Sequence, residues 1–260
     1  MFDRLTIVKV GGKVVEEPES LVTLLDDFSK IAGHKILVHG GGRSATAMAN
    51  RLGLESTMVD GRRITDKAML EVVTMVYGGL VNKNIVAQLQ ARHSQAMGLT
   101  GADLDLIRAV KRPVDQIDYG FAGDVTSVNT KLVEDLIRNG VVPVIAPLTH
   151  DGKGQLLNTN ADTMASEMAS AFASTFRVQL IYCFEKRGVL ADPDNDESVI
   201  RVLDRSSFNE YKETGVISEG MIPKLDNGFN ALTNGVTEVI ITNPENIRNG
   251  GTGGTRLMLS

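Results

Sequence analysis

The sequence has few of the residues that mark secreted, membrane-bound or nucleic-acid-binding proteins. Among its 260 residues there is one cysteine, Cys183, and there is no tryptophan. Because a lone thiol cannot form an internal disulfide, we expect a cytoplasmic protein in which Cys183 is a small buried hydrophobic residue. No apolar run approaches the ~18–20 residues of a membrane span. The net charge of −5 argues against a general nucleic-acid binder, although a local basic site for a small anion stays open. We therefore expect neither a membrane nor a nucleic acid among its partners.

What the chain does contain is a series of short apolar runs that alternate with helical patterns rich in small residues. This alternation predicts an α/β fold with a mainly parallel sheet that has helices on both faces. The expected strands are 5–10, 35–40, 141–148, 179–184, 237–242 and 255–260. The expected helices are 18–32, 43–52, 66–78, 82–97, 130–139, 161–174, 206–214 and 223–234. The remaining patterned segments are two predicted β-hairpins, 103–128 and 149–158, and an acidic turn, 191–198 (ADPDNDES).

A triplet of glycines follows the second expected strand, in KILVHGGGRSATA. Gly40, Gly41 and Gly42 lie between a strand and a helix, where backbone N–H groups and the helix N-terminus favour an anion. The pattern G-x-G-x-x-A, with Asp60 20 residues after the first glycine, also matches the dinucleotide-binding fingerprint of dehydrogenases. That match is weak because the glycines follow the second strand rather than the first. His39, directly before the glycines, is interpreted as structural.

A lysine inside the first apolar run strengthens the case for an anion site. In TIVKVGGK, Lys9 precedes Gly11 and Gly12 at the end of a strand. An ammonium group in an apolar strand is costly unless it pairs with an anion. Open α/β sheets bind ligands in the crevice at the carboxyl ends of their strands. Two glycine turns and a lysine at that edge favour a phosphoryl group over a nicotinamide.

Three later segments contribute further polar groups. Asn158, Asn160 and Asp162 occur in NTNAD, where a helix is expected to begin. Carboxamides both donate and accept hydrogen bonds, which suits an amino-acid ligand, whereas Asp162 alone is also explained as a helix N-cap. Lys224 lies just inside another helix start, in GMIPK. Arg63, in DGRRIT, can clamp a carboxylate with two hydrogen bonds.

Together these motifs resemble the amino acid kinase family, and within it the members that act on N-acylated glutamate. The order is K-x-G-G, H-G-G-G, G-x-R-x-T, N-x-N-A-D and G-M-x-x-K. The resemblance implies a three-layer α/β/α sandwich around a mainly parallel central sheet, in a single domain over residues 1–260. It implies an N-lobe (about 1–175) for the acylated amino acid and for homodimer contacts, and a C-lobe (about 176–260) for the nucleotide. The implied reaction transfers the γ-phosphoryl group of ATP to the γ-carboxylate of N-acetyl-L-glutamate, the second step of arginine synthesis.

The resemblance also assigns roles to individual residues. Lys9 and Lys224 flank the transferred phosphoryl group, and Asp162 holds both ammonium groups in place. Backbone N–H groups of the glycine turns donate to phosphate and substrate oxygens, Gly11 and Gly12 on the nucleotide side and Gly41 and Gly42 on the substrate side. The substrate is also held by Arg63, Asn158 and Asn160. The nucleotide lies against the C-lobe, near Glu185, Gly188, Leu190, Ser218 and Met221.

The residue types present suit this reaction. A carboxylate is already ionised at pH 7, so the phosphoryl acceptor needs no general base. Catalysis then depends on aligning two anions and on neutralising charge on the equatorial phosphoryl oxygens. The expected helpers are fixed cations, N–H donors and Mg²⁺, which binds chiefly through the phosphate oxygens of ATP rather than in a carboxylate cage.

Two segments depart from the family pattern. Where relatives carry T/S-D-V-x-G-V, this chain has FEKRGV, with Glu185 in place of aspartate and two basic residues, Lys186 and Arg187. We interpret the basic pair as an exposed turn, and the contacts to adenine and ribose stay open. The second departure is Arg62, at a position where many relatives have an uncharged residue. We hypothesise that Arg62 meets an additional carboxylate, so that the acyl group is larger and acidic, such as succinyl.

Other functions stay open at this point. The chain could act on aspartate, glutamate, carbamate or UMP, as other members of the family do, although Arg63 with N-x-N-A-D favours an N-acylated amino acid. It could instead be a non-catalytic sensor of a nucleotide or an amino acid. The two lysines and Asp162 argue against a sensor, because ligand affinity alone does not require charge balance in a transition state. A Rossmann-type dehydrogenase is the third alternative.

Overall fold

Strands form where the sequence has short runs of β-branched and apolar residues, as in LTIVKV and EVIIT. The computed structural model describes residues 2–59, 61–217 and 220–260. Its strands are β1 (Arg4–Val10), β2 (His34–His39), β3 (Met58–Val59), β4 (Arg62–Arg63), β5 (Ala96–Leu99), β6 (Ile107–Lys111), β7 (Gly123–Val128), β8 (Val142–Ile145), β9 (Leu148–His150), β10 (Leu156–Asn158), β11 (Arg177–Cys183), β12 (Val202–Asp204), β13 (Glu238–Thr242) and β14 (Thr255–Met258).

Helices alternate with these strands along the chain. The α-helices are α1 (Gly12–Glu16), α2 (Pro18–Ser29), α3 (Gly42–Arg51), α4 (Lys67–Val73), α5 (Asn82–Gln90), α6 (Thr130–Arg138), α7 (Ala161–Phe172), α8 (Arg205–Glu213) and α9 (Ile222–Thr233). A π-helix, Thr74–Val81, joins α4 to α5, and 3₁₀ turns occur at Asp103–Asp105 and Pro244–Asn249. None of the helices in the described ranges is long and apolar enough to span a membrane.

Within the described residues, eight strands form the central sheet, in the order β12-β14-β13-β11-β1-β2-β8-β5. Only the β13–β14 pair is antiparallel, so β12 and β14 run against the other six strands. A smaller sheet, β10-β9-β6-β7, contains the two expected hairpins, and β3 pairs with β4. The predicted fold class, a mainly parallel sheet within an α/β/α sandwich, is therefore confirmed.

Two apolar clusters cover the opposite faces of the central sheet. Successive side chains of a strand point to opposite faces. In β1, Leu5 and Ile7 belong to one cluster, whereas Val8 and Val10 belong to the other. The same alternation places Lys9 on the face of Leu5 and Ile7, which is the face that α7 and α9 cover. A charged side chain is thus directed at two helices from the middle of the sheet.

Three of the expected elements differ from the structure by more than a few terminal residues. The helix expected over 82–97 ends at Gln90, since the chain turns at His93 (φ 57°) and then forms β5. The strand expected over 141–148 is divided because Pro147 has no N–H to donate, and Leu148 begins a strand of the smaller sheet. The helix expected over 66–78 is α4 followed by the π-helix.

Candidate active site

Three charged side chains from different elements meet at the carboxyl end of β1. Lys9 is only 6% exposed, and its Nζ lies 2.6 Å from Oδ1 of Asp162, in the first turn of α7. Nζ of Lys224, near the start of α9, lies 3.5 Å from Oδ2 of the same carboxylate. The structure thus brings the two predicted lysines together on one aspartate. The side chain of Lys224 is the more exposed of the two, at 24%.

The start of α7 is built so that the carboxylate of Asp162 stays free to reach both lysines. Asn160, not Asp162, is the N-cap: its Oδ1 accepts from the backbone N–H groups of Asp162 (2.8 Å) and Thr163 (3.1 Å). The hydroxyl of Tyr182, on β11, donates to the backbone carbonyl of Asp162 at 3.2 Å. The interpretation of Asp162 as a simple helix cap is therefore wrong.

The electrostatics of this cluster keep Asp162 ionised. Burial alone would raise the pKa of the Asp162 carboxyl, but the positive charges of Lys9 and Lys224 overcome that effect and hold the pKa below its ordinary value. One carboxylate therefore faces two ammonium groups, and the cluster carries a net positive charge. Such a site attracts a further anion.

The two glycine turns lie against each other beside this cluster. A Cβ built on Gly12 would lie 3.6 Å from the backbone N of Gly42 and 3.7 Å from that of Gly41. The amides of Gly12 and Gly42 open α1 and α3, where backbone N–H groups have no intrahelical partner. Gly11 differs from the expectation, because its N–H donates to the carbonyl of Cys183 at 2.8 Å and extends the sheet. Its amide is therefore not available to a phosphate.

Two clefts meet at Lys9. The larger has a volume of about 840 Å³ and the smaller about 180 Å³, and both are lined by Lys9, Gly12, Gly42, Met58 and Arg63. The larger cleft falls within the ~300–1,000 Å³ range of small-molecule sites. A ligand in each cleft would place its reactive end at the lysine cluster.

The larger cleft extends over the C-terminal part of the chain. Its lining includes the predicted nucleotide residues Glu185, Gly188, Leu190 and Met221, whereas the predicted Ser218 lies outside the described residues. Its charged lining, among the described residues, is one carboxylate, Glu185, against six cations: Lys9, Lys13, Arg43, Arg63, Lys186 and Lys224. The cleft therefore favours a ligand with several negative charges.

The smaller cleft contains the predicted substrate residues. Gly41, Gly42, Arg63, Asn158 and Asn160 all line it. Nδ2 of Asn158 donates to the hydroxyl of Thr65 at 2.9 Å, which fixes the orientation of this carboxamide. Asn160, which the sequence suggested as a ligand group, uses its Oδ1 for the α7 cap.

Arg63 is a buried cation without a carboxylate partner in the part of the chain that the structure describes. It is 6% exposed, and its guanidinium donates to the carbonyl of Gly42 (2.7 Å), the hydroxyl of Thr46 (3.0 Å) and the hydroxyl of Ser56. Its Nε has no hydrogen-bond partner, and among the described residues no carboxylate lies within 4.0 Å of it. A buried charge without a partner is costly, so this arrangement calls for an anionic ligand.

Two contributors to the site were not found from the sequence. Tyr77, in the π-helix, lies against the glycine turn: a Cβ built on Gly41 would be 3.0 Å from its ring, so a larger residue there would press on the ring. Glu16, in α1, accepts from the backbone N–H (2.5 Å) and hydroxyl (2.9 Å) of Ser44 in α3, which ties the two glycine turns together. Tyr77 is hidden in an apolar helix pattern, and the Glu16 contact joins residues 28 apart in the chain.

His39 occupies a structural position behind the glycine turn. It is fully buried, with its Nδ1 2.7 Å from the carbonyl of Gly40 and its Nε2 3.2 Å from Nδ2 of Asn82. Because a carbonyl only accepts, Nδ1 carries the proton and Nε2 accepts from the amide. Burial lowers the pKa of His39 to about 4.

This pKa predicts a loss of stability in mild acid. The neutral ring is favoured in the folded state, so the stabilisation is complete above the ordinary histidine pKa of about 6.5 and is lost as the pH falls from there towards about 4. The expected loss of unfolding free energy between pH 7 and pH 4 is about 3 kcal/mol. Urea unfolding at several pH values measures it. His39→Asn removes most of this slope, and the exposed control His93→Asn keeps it; equal slopes in both variants would contradict the assignment.

A buried cation–carboxylate cluster between two glycine turns, at the strand ends of this sheet, defines a phosphoryl-binding α/β protein. The chain belongs to the amino acid kinase family, whose model matches residues 4–243. It is 63% identical over 242 residues to the acetylglutamate kinase of Bacteroides thetaiotaomicron, covering 93% of this chain and 94% of that protein. It is 60% identical over 257 residues to the acetylglutamate kinase of Bacteroides fragilis, and the match covers 99% of this chain and 98% of that protein. A solved structure from Streptococcus mutans superposes with a TM-score of 0.83 at 25% identity. The superposition covers 98% of this chain and 99% of that protein.

Proposed function

We propose that this chain transfers the γ-phosphoryl group of ATP to the γ-carboxylate of N-acetyl-L-glutamate, which yields N-acetylglutamyl 5-phosphate and ADP. The observation that carries the proposal is the pairing of Lys9 and Lys224 with one aspartate at the junction of two clefts. Relatives that are 60% identical or more carry the name acetylglutamate kinase. That name supports a place in arginine synthesis, and the use of ATP supports the cytoplasmic location expected from the single cysteine.

The chemistry needs charge balance and alignment rather than proton transfer. A γ-carboxylate is ionised at neutral pH and attacks phosphorus directly; the new C–O–P bond forms as the bond to the ADP oxygen breaks. The approach of two anions is the main obstacle. Lys9 and Lys224 neutralise charge on the moving group, and Asp162 holds both ammonium groups in position. The amides of Gly12 and Gly42 donate to phosphoryl oxygens from the two turns.

The two clefts hold the two substrates. Arg63 binds the α-carboxylate of the acylated amino acid, since it is a buried cation without a carboxylate partner in the described residues. Asn158 and Asn160 line the same cleft, and the polar atoms that their fixed hydrogen bonds do not use, Oδ1 of Asn158 and Nδ2 of Asn160, bind the N-acyl amide. ATP occupies the larger cleft, whose cationic lining suits a triphosphate. Mg²⁺ enters with ATP, bound chiefly to its phosphate oxygens, where it neutralises part of their charge.

A hydroxamate assay for ATP-dependent acyl-phosphate formation tests the function. The panel is N-acetyl-, N-propionyl- and N-succinyl-L-glutamate, free L-glutamate and L-aspartate. Product is expected with N-acylated glutamates and not with the free amino acids. If only free glutamate or free aspartate were phosphorylated, the chain would have the activity of a different member of the family. Absence of any acyl phosphate, together with tight nucleotide binding, would favour the sensor alternative.

One observation favours a second candidate substrate, N-succinyl-L-glutamate. Arg62 lines the smaller cleft and is half-buried. Burial and the nearby charge of Arg112 lower the pKa of Arg62. The neighbouring carboxylate of Asp124 is already paired with Arg112 at 2.6 Å. In the described residues Arg62 has no ion-pair partner of its own, so a terminal carboxylate on the acyl group would provide one.

The kcat/KM values for the two acyl groups decide between these candidates. If Arg62 binds a succinyl carboxylate, Arg62→Ala lowers kcat/KM for N-succinylglutamate at least tenfold, about 1.4 kcal/mol, and leaves that for N-acetylglutamate within about threefold. A tenfold or greater preference of the unmodified enzyme for the acetyl substrate would rule out the succinyl candidate.

We also propose that the chain is a homodimer. Strand β5 ends the central sheet, so one of its edges has no neighbouring strand in the described residues. Met97 on that strand is 41% exposed, and Met75 and Leu80 in the π-helix are 57% and 51% exposed. A free strand edge favours pairing with another strand, and exposed apolar side chains favour burial against another protein surface, so both observations support a second copy as partner. Light scattering that gives the mass of the single 28.0 kDa chain would contradict the proposal.

A further inference from the structure

Two segments that the sequence analysis left without a function lie against each other at the mouth of the larger cleft. They are the basic segment, residues 184–188 (FEKRG), and the acidic turn, residues 191–198. A bridge between Leu190 and Val199 makes the chain around the acidic turn a short hairpin. Within it, the backbone N–H of Ala191 donates to the carbonyl of Ser198 at 2.9 Å.

Two ion pairs join the basic segment to the acidic turn. Nζ of Lys186 lies 2.7 Å from Oδ1 of Asp196, and a guanidinium nitrogen of Arg187 lies 2.9 Å from Oε1 of Glu197. All four side chains are well exposed, from 41% for Lys186 to 77% for Glu197. Ion pairs in water contribute little net free energy to stability, so either pair can exchange its partner at low cost.

The two pairs differ in their position relative to the cleft. Lys186 lines the larger cleft, as do Leu190 and Pro193 from the hairpin, whereas Arg187 does not. The basic segment also begins beside the first glycine turn, since a Cβ built on Gly11 would lie 3.5 Å from Cβ of Phe184. Lys186 is therefore only two residues after Phe184, which lies beside the glycine turn at the carboxyl end of β1.

The side-chain chemistry of the two cations matches this difference. Lysine is a compact point charge on a flexible four-carbon stem and can swing between partners, whereas the planar fork of arginine suits one fixed carboxylate. A polyphosphate carries several negative charges, and Asp196 carries one. A triphosphate in the larger cleft therefore competes well for the ammonium group of Lys186.

We propose that Lys186 leaves Asp196 and binds a phosphate oxygen of the nucleotide, so that Asp196 is a built-in competitor that weakens nucleotide affinity. This rests on the proposed function only in placing the nucleotide in the larger cleft. Lys186 is then a nucleotide-binding residue at a position where the T/S-D-V-x-G-V pattern of the family has no cation. Arg187 and Glu197 keep the hairpin in place and do not touch the nucleotide.

Calorimetric titration with a non-hydrolysable ATP analogue, with ADP and with adenosine tests the proposal. Lys186→Gln is expected to raise the Kd of the ATP analogue about five- to twentyfold, because a charge-assisted hydrogen bond is lost. Asp196→Asn is expected to lower that Kd about two- to fivefold, because the competitor is removed. The matched controls Arg187→Gln and Glu197→Gln are expected to stay within about twofold, and the KM for the acylated amino acid is unchanged in all four variants.

A double variant and the shorter ligands complete the design. In Lys186→Gln/Asp196→Asn the ATP-analogue Kd equals that of Lys186→Gln, since Asp196 acts only through Lys186. The effect of Lys186→Gln decreases from the ATP analogue to ADP and is absent for adenosine.

Several results would overturn the proposed exchange, in which Lys186 leaves Asp196 for a nucleotide phosphate. Equal weakening by Lys186→Gln and Arg187→Gln would mean that both pairs merely hold the hairpin. If Lys186→Gln weakened the binding of adenosine as much as that of the ATP analogue, Lys186 would contact the nucleoside, for example its ribose, and not a phosphate. Failure of the unmodified chain to bind the ATP analogue would overturn the proposed function itself, whereas normal binding with an unaffected Lys186→Gln variant would overturn the exchange alone.

Discussion

Replacing Lys224 by glutamine is expected to lower kcat about 100- to 1,000-fold, with a much smaller change in the KM for ATP. The ammonium group lies 3.5 Å from Asp162 at the junction of the two clefts. In the proposed reaction, this is where charge moves from the γ-phosphoryl group to the leaving oxygen of ADP. A fixed cation there stabilises the transition state more than bound ATP, so its loss falls mainly on kcat. Steady-state kinetics with N-acetyl-L-glutamate, by the hydroxamate assay, measures both constants.

The fold is expected to tolerate this change. The Lys224 side chain is partly exposed, and Lys9 still pairs with Asp162 when Lys224 is absent. Thermal unfolding should therefore differ little between the variant and the unmodified chain. Lys212→Gln, at an exposed lysine in the last turn of α8, is the matched control and should leave kcat unchanged. A Lys224→Gln variant that binds ATP and turns over normally would restore the non-catalytic sensor alternative.

The sequence predicted strands best where an apolar run is continuous. It predicted them least well where contacts with distant parts of the chain determine the local structure. The run LTIVKV predicts β1 within one residue, because a buried parallel strand needs little besides β-branched and apolar side chains. The four residues of β5, AMGL, carry almost no such signal. Gly98 is needed there because a Cβ would collide with Asn82 and Lys83 of α5, a contact that local propensity does not reveal.

The sequence indicated which charged residues belong to the candidate site, but it was less informative about the groups with which they pair. Lys9 stands out as a charge in an apolar strand, and its partner Asp162 could be named only through the resemblance to a family. Local rules made Asp162 a helix cap, yet the cap is Asn160, since both residue types satisfy the same preference. Gly11 looked like a phosphate donor, but sheet pairing with Cys183 uses its N–H. Tyr77 could not be foreseen because the π-helix changes which side chains face the glycine turn.

These details give the resting site a consistent electrostatic design. Asp162 compensates Lys9, which would otherwise be a buried charge without a partner, and Lys224 adds a positive charge from the more exposed side. The Tyr182 hydroxyl and the Asn160 cap fix the position of the carboxylate from the backbone side. Asp162 therefore compensates a buried charge in the fold and, in the proposed reaction, positions both lysines; the two contributions can be separated by mutation.

Asp162→Asn is expected to lower the unfolding free energy by about 3–5 kcal/mol and kcat by at least about 100-fold. Removing one partner of a buried ion pair leaves Lys9 charged and uncompensated, and the two ammonium groups then repel each other. The pKa of Asp162 lies below its ordinary value, so its stabilisation is complete above about pH 4 and is lost as the pH falls further. The stability difference between the variant and the unmodified chain should therefore shrink below pH 4.

A double-mutant cycle separates lost charge compensation from simple damage to the site. Lys9→Met has a similar volume without the charge, so Lys9→Met/Asp162→Asn should recover at least half of the stability that Asp162→Asn loses, while kcat stays low. Asp226→Asn, at a partly exposed aspartate 3.6 Å from Arg205, is the control and should change stability little. If the double variant were less stable than Asp162→Asn alone, the uncompensated ammonium group would not be the cause. The aspartate would then act through packing rather than through its charge.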